Sequence, residues 1–463
     1  MGRSWIYPWW NLCLAVVICG NLGQGNPAGA DSPPLRVAVF RCDMTPPMGQ
    51  PLISGDLLSR VEDPLWAKGI VLEDGRDRFA LCSIDWCELC NSSHMLFRRK
   101  IAEAAGTDVL HVAVHTVHQH TAPLVDGDAE VLLRSTPNPP AQVSPKYLQE
   151  ATDRLAAAVR EAVRRLEPFD RVGIGQAKVE RVAASRRVKV EGGKIRVRWS
   201  TCREPDLRAM PEGHIDPFIK TITLARGNNP LVRLHYYATH PQTPYGDGRA
   251  SSDFVGHARD RLEKKEGVPQ IYFTGCGGDI TVGKYNDGSP EARRQLAARL
   301  QAGMEAAIAA TRFVPVGQLR WRTVPLILPP RTDPGFTEAD ARAHMMDPKA
   351  SYGARTYKGA LRVAFHQRSK VPFDLSALEI GPAVILNLPG EVMVDFQLYA
   401  QQVAPDRFVA VAAYADCATG YICTQQAYAE GGYEPTDCLV APQSDALLKA
   451  AIRRLLAAEK PQQ

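Results

Sequence analysis

The chain has 463 residues, 45% hydrophobic and 23% charged, with a formal net charge of +5. These are the proportions of an ordinary folded globular protein and exclude a disordered or fibrous chain. Both signs of charge are mixed along it without a basic tract, which argues against nucleic acid as a partner.

At the start, Arg3 precedes an apolar run from Leu12 to Cys19, and small residues then lead to Ala28-Gly29-Ala30 before Asp31. This order predicts a secretory signal peptide over 1–30, cleaved after Ala30. The rival is a lipoprotein anchored through Cys19, against which Ile18 stands where such sites want a small residue. The run is shorter than the roughly 20 apolar residues of a membrane-spanning helix, and no later stretch approaches that length. The expected product is therefore exported, periplasmic or extracellular, with 31–463 as one catalytic unit. Of eleven cysteines, nine remain once Cys13 and Cys19 are removed, an odd number that leaves at least one unpaired. Cys87 and Cys90 form a lone C-x-x-C, read as structural or as a disulfide in an oxidising compartment. Cys417, Cys423 and Cys438 are close enough in sequence to pair locally.

No internal repeat or long linker interrupts the rest. Apolar strands running into a Gly, Pro or polar turn are expected over Leu110 to Val117, Leu231 to Thr239, Gln270 to Phe273, Val384 to Leu388 and Phe408 to Ala413. Helices alternate with them. Ser144-Pro145 opens one as N-cap and first residue, with Leu148, Leu155, Val159, Val163 and Leu166 on one face. Ser289-Pro290 opens another, striped by Leu296, Leu300, Met304 and Ile308. The alternation predicts an α/β layered fold around a largely buried mixed sheet, with its site at the strand C-terminal ends.

Four of the eleven histidines, His111, His115, His118 and His120, fall in LHVAVHTVHQHTAP. His118 and His120 share one side of an extended chain, whereas His115 and His118 point apart unless the strand has already ended. Such an H-x-H pair either places one imidazole on a metal with the other beside it, or is a satisfied structural pair. His240 follows the strand LVRLHYYAT, and Glu391 follows the Pro389-Gly390 turn where a helix is expected to begin. There the carboxylate is either a ligand or a partner of the helix dipole. Tyr421, in ATGYICTQQAY, is a ligand or a packed ring. All four lie just past an expected strand end, and two imidazoles, a carboxylate and a phenol oxygen suit Zn²⁺ with room for a water. The loop GCGGDITVG at 275–283 is either a tight corner or a site where glycines with positive φ bring backbone N–H groups to an oxyanion.

Taken together these motifs resemble the catalytic domain of the neutral ceramidases and their shorter bacterial relatives. The likeness runs from DMTPPMG at Asp43 to Gly49, through VEDPLWAKGIVLEDG at Val61 to Gly75 and SID at Ser83 to Asp85, to VHQHTAP, YYATHP, SSDFVGHA, LPGE and GYICTQQAYAEGGYE. It implies Zn²⁺ as cofactor, held by His118, His240, Glu391 and Tyr421. It also implies a catalytic His120, an orienting Arg186 from ASRRV and a substrate-side Tyr433. The family's Gly-Asn-Leu-Ser-Pro-Asn loop reads here Gly278-Asp279-Ile280-Thr281-Val282-Gly283, so Gly278 and Asp279 are expected at the substrate and Thr281 replaces the family serine. No counterpart of the family's C-terminal immunoglobulin-like domain is expected, since the chain ends about thirty residues after the tyrosine motif.

The activity so implied is hydrolysis of an acyl bond, an N-acyl amide of ceramide or a ceramide-like lipid, by metal-activated water. The altered loop admits an amidase or esterase acting on N-acylated sugars, peptides or other lipids. It also admits an exported protein that binds a ligand without catalysis. On any of these readings the partner is a small molecule or lipid.

Overall fold

In the computed structural model, which describes residues 33–457, the expected mixed sheet is resolved into three. The signal peptide expected over 1–30 lies outside the described residues. The first sheet holds β1 (Arg36–Asp43), β2 (Trp66–Glu73) and β3 (Arg78–Ile84), paired antiparallel in that order. Helix α1 (Asn91–Ala105) then carries the chain across to β4 (Val112–Thr116), which lies parallel to β3. Helix α2 (Pro145–Val163) follows, and Glu167–Pro168 closes against β1.

The same order recurs twice. In the second sheet, β5 (Arg171–Lys178), β6 (Phe218–Arg226) and β7 (Asn229–Tyr237) are antiparallel. There α3 (Asp253–Glu266) leads to β8 (Gln270–Thr274) parallel to β7, and α4 (Pro290–Ala309) follows. In the third sheet, β9 (Leu319–Leu326), β10 (Phe373–Ile380) and β11 (Ala383–Asn387) are antiparallel. There α5 (Val394–Val403) leads to β12 (Phe408–Ala412) parallel to β11, and α6 (Ser444–Leu456) follows. A parallel neighbour requires a crossover, and each of the three is a helix. The repetition lies in the order of elements and not in the residues, which is why the sequence shows none.

The strands are apolar on both faces because both are covered. Val37, Ile70 and Leu81 of the first sheet, Ile222, Leu234 and Phe273 of the second, and Leu378, Ile385 and Ala410 of the third share one core between the sheets. The alternate residues pack outward under helices: Ala38, Phe40 and Val71 with Phe97 and Leu155, and Leu386 and Val411 with Phe396 and Ile452. Both expected serine caps form. The Ser144 hydroxyl accepts from the Tyr147 N–H at 3.4 Å and that of Ser289 from Ala292 at 3.1 Å.

Past their last residues the three parallel strands are tied to one another. Thr116 N–H donates to the Tyr414 carbonyl at 2.9 Å, Ala413 N–H to the Thr274 carbonyl at 2.9 Å, and the Thr274 hydroxyl to the Val117 carbonyl at 2.7 Å. This closed set of bonds brings the loops after all three sheets to one place. Among the described residues no helix is long and apolar enough to cross a membrane. Among the described residues all nine cysteines are free and buried, so neither the Cys87–Cys90 disulfide nor a pairing among Cys417, Cys423 and Cys438 is formed.

Candidate metal centre

The histidine segment divides at the end of β4. His111 ends a short turn before the strand, and His115 is wholly buried between the Ala413 carbonyl at 2.8 Å and Asn387 at 2.9 Å, so both serve structure. The strand stops at Thr116, and at His118 the backbone turns with φ of 68°, a left-handed conformation rare for a side chain of this size. That turn resolves the parity of the sequence pattern by throwing His118 and His120 into one space, with ring centroids 5.0 Å apart.

His240 arrives from the end of β7, its ring 4.7 Å from that of His118. Glu391 does not begin a helix. It lies in a two-residue strand, Glu391–Val392, paired in parallel with Tyr421–Ile422, and α5 starts at Val394. Glu391 and Tyr421 are register partners in that pair, so the fold itself sets the third and fourth expected ligands side by side. Ligand atoms of His118, His240 and Glu391, all buried, lie within 4.8 Å of one another.

The hydrogen bonds explain which atoms are free. His118 Nδ1 donates to the Cys87 carbonyl at 2.9 Å, which leaves an unprotonated Nε2 facing Glu391 Oε2 at 3.0 Å. Neither Nε2 nor Oε2 has a hydrogen-bond partner, although both are buried. Nε2 of His120 and of His240 face each other at 2.8 Å. Burial, then the charges of His118 and Arg186, hold His120 well below the usual imidazole range, and burial with Arg186 does the same for His240. The His120–His240 contact is a hydrogen bond with the proton on one ring, whereas the facing lone pairs of His118 Nε2 and Glu391 Oε2 have no hydrogen-bond partner, which is what a cation requires. With zinc–ligand bonds of about 2.0–2.1 Å, tetrahedral neighbours stand roughly 3.3 Å apart, close to the 3.0 Å between His118 Nε2 and Glu391 Oε2. The residues therefore fit a zinc-type ion. A second group, Cys87, His118 and His120, is also close enough for a metal. It fits less well, because burial keeps the Cys87 thiol protonated and His118 Nδ1 is committed to a carbonyl.

Tyr421 Oη lies 2.9 Å from Nη1 of the buried Arg186, whose Nη2 is 3.2 Å from His240 Nδ1. Burial holds the Tyr421 phenol well above its usual range, with Arg186 opposing. Behind His118, Tyr414 stacks its ring at 4.3 Å and 24°, also with positive φ, 60°. Two non-glycine residues in left-handed conformations packed on each other mark the strain found at functional sites. Nothing in the sequence singled out Tyr414. The signal was its place one residue past the stretch Phe408 to Ala413.

The 275–283 loop departs from expectation. None of its glycines has positive φ. Gly278 donates its N–H to the Val392 carbonyl, and a side chain there would meet the Glu391 carbonyl at 2.4 Å, so Gly278 supports the Glu391 backbone from behind. Asp279 turns away and caps α5, accepting from Val394 N–H at 2.8 Å. Thr281 is fully buried, accepts from Gly283 N–H at 3.1 Å and donates to the Ser200 hydroxyl at 3.3 Å. Ser200, not singled out by its sequence context, lines the cavity while Thr281 does not.

That cavity, of about 650 Å³, opens over His120, His240, Glu391 and Tyr421. Arg186 and Tyr433 also line it, and Tyr433 packs edge-on against Tyr421 at 5.7 Å and Trp199 at 4.9 Å. Its size suits a drug-sized or acyl-chain ligand.

Two solved structures share this architecture. Neutral ceramidase from Pseudomonas aeruginosa superposes with a TM-score of 0.68 at 17% identity, covering 92% of this chain and 75% of that one. A ceramidase complexed with C2 gives 0.69 with the same identity and coverage. No protein-family model and no curated protein matches the sequence. The α/β layers expected from the alternation of strands and helices are thus those of the neutral ceramidase fold.

Proposed function

We propose that this chain, which has the neutral ceramidase fold, belongs to that family and is an exported zinc-dependent hydrolase of N-acyl amides, ceramide-like lipids among them. The observation that carries the reading is the pair of buried, partnerless ligand atoms, His118 Nε2 and Glu391 Oε2, beside His240 at the floor of an acyl-sized cavity. His118, His240, Glu391 and Tyr421 would hold the ion, which when bound supplies a Lewis acid for water and carbonyl oxygen.

The remaining work falls to the chain's own groups. His120 Nε2 faces the same space as His240 Nε2 and carries a proton between the attacking water and the leaving nitrogen, a transfer that amide cleavage needs. A histidine kept neutral by burial is poised to do this. Arg186 holds Tyr421 and His240 in place, while Tyr433 and the Ser200 hydroxyl, backed by Thr281, orient the substrate amide. Burial excludes water from all but the cavity side.

Elemental analysis of purified protein, with turnover of N-acyl amides before and after chelation, tests this. Stoichiometric zinc and chelator-sensitive amide cleavage are expected. Turnover indifferent to chelator would overturn the reading, and binding without turnover of any acyl substrate would favour a non-catalytic ligand-binding protein. Preference for N-acylated sugars or peptides over ceramide would keep the chemistry and move the substrate.

A further inference from the structure

Glu88 lines the same cavity and is 8% exposed, on the strand Glu88–Cys90 that follows β3. Its side chain has one polar contact, the Cys90 thiol, at 3.9 Å from Oε2. Every other buried acid among the described residues is better served. Asp85, Glu130, Asp216, Asp416 and Glu434 each have an arginine or lysine. Asp126, Asp253 and Asp279 accept from backbone N–H groups, and Glu391 faces His118. A buried carboxyl without a cation or a cap is costly unless a ligand completes it.

The surroundings say what kind of ligand. Burial first, then the acids Glu391, Asp126 and Asp437, raise the Glu88 carboxyl well above the ordinary range, with only the Cys90 thiol opposing. Lys358, exposed on the same wall, acts on Asp437. Tyr245 and Tyr357 also line the cavity, and Tyr357 gives its hydroxyl proton to the Ile53 carbonyl, so it offers Glu88 a ring and no donor. A carboxyl kept protonated by its surroundings ionises when a cation arrives, and a carboxyl sharing a cavity wall with two tyrosine rings is the pattern that receives an ammonium. The Tyr245 ring lies 5.8 Å from that of His120, which places this end of the cavity on the side where the proposed leaving nitrogen departs.

We propose that Glu88, Tyr245 and Tyr357 form a subsite for a positively charged group on the amine-derived half of the substrate, so that the preferred N-acyl amides are those of amines bearing a second, protonated amino group. This rests on the hydrolase reading only for the direction of the substrate; the binding of the cation stands on Glu88 itself.

The test compares three amides with the same octanoyl chain, made from diaminobutane, butylamine and aminobutyrate. In the wild-type zinc protein, kcat/KM for the cationic amide should exceed that for the neutral one by about tenfold, with the anionic one lowest. In Glu88→Gln the cationic-to-neutral ratio should fall to near unity. Equal rates in the wild type, or an unchanged ratio in the variant, would overturn the subsite while leaving the hydrolase intact. If none of the three is cleaved, the rates give no ratio, and calorimetry of the same amides on zinc-free protein decides the subsite. Tighter binding of the cationic amide, lost in Glu88→Gln, supports it, and indifference to charge refutes it. The wild-type comparison stands even if the variant folds poorly.

Discussion

His118 Nε2 and Glu391 Oε2 stand 3.0 Å apart in the protein interior, and neither has another hydrogen-bond partner. One comes from the loop after β4 and the other from the loop after β11, so two sheets must be in register for the pair to exist. Glu391→Gln keeps the shape and removes the charge that a divalent ion needs. Zinc affinity should fall by at least about 100-fold, and His118→Ala should fall further. Equilibrium dialysis with elemental analysis reads this out, and a Glu391→Gln protein that holds zinc as tightly as the wild type would refute the site. Because the ion binds only the folded chain, chelation should also lower Tm, and at zinc a thousandfold above Kd the ion is worth about 4 kcal/mol.

The sequence made some of this legible and hid the rest for physical reasons. Strand and helix periodicity, with the Ser144-Pro145 and Ser289-Pro290 starts, marked elements within a residue or two, because those signals are local. His118, His240 and Glu391 were visible because each follows an apolar strand. Gly278, Asp279 and Thr281 were the least legible, because a glycine-rich loop looks the same whether it embraces a ligand or braces a neighbouring backbone, and the contact of Gly278 with the Glu391 carbonyl shows the bracing. Ser200 and Glu88 gave no signal, and Tyr414 only its place after a strand, since a serine, a glutamate or a tyrosine acquires its role from neighbours far away in the chain.

Tyr414 stacks on His118 with its hydroxyl buried and unpaired. Tyr414→Phe keeps the ring and removes an unsatisfied group, so stability should be unchanged or higher by up to about 1 kcal/mol. Tyr414→Leu removes the flat support behind the imidazole, and zinc affinity should drop by about tenfold with the fold retained. Equal zinc affinity in the two variants would show that the stacking does not orient His118.

Thr281 and Ser200 separate support from contact. Thr281→Ser preserves both hydrogen bonds, and turnover should stay within about twofold. Thr281→Val leaves the Gly283 N–H without its acceptor and should cost about 1–3 kcal/mol of stability. Ser200→Ala removes the cavity-lining hydroxyl bonded to Thr281 and should lower kcat/KM with little change in Tm. Denaturant unfolding beside steady-state kinetics distinguishes the two, and a Ser200→Ala protein of full activity would remove Ser200 from the substrate's surroundings.

Burial pushes Asp126 up to about 7, although it accepts from Ala129 N–H as the cap of the Gly127–Arg134 helix and from the Asn91 amide. Burial and then the Asp126 charge push Glu130 up to about 8. In the unfolded chain both titrate near about 4, so between there and pH 7–8 the folded state holds more protons than the unfolded one. Stability from these groups is therefore fully present below pH about 4 and falls as pH rises, by up to about 1.4 kcal/mol per unit for each. His94, His115 and His235, drawn down to about 4 by burial, act in the opposite sense below pH about 6.5. The difference between Asp126→Asn and wild type isolates the acid, because asparagine keeps a capping oxygen and cannot ionise. The variant should gain on the wild type steadily from pH 5 to about 7 and level off above it. Urea midpoints measured across that range provide the check, and a pH-independent difference would mean that Asp126 is ionised in the folded protein throughout.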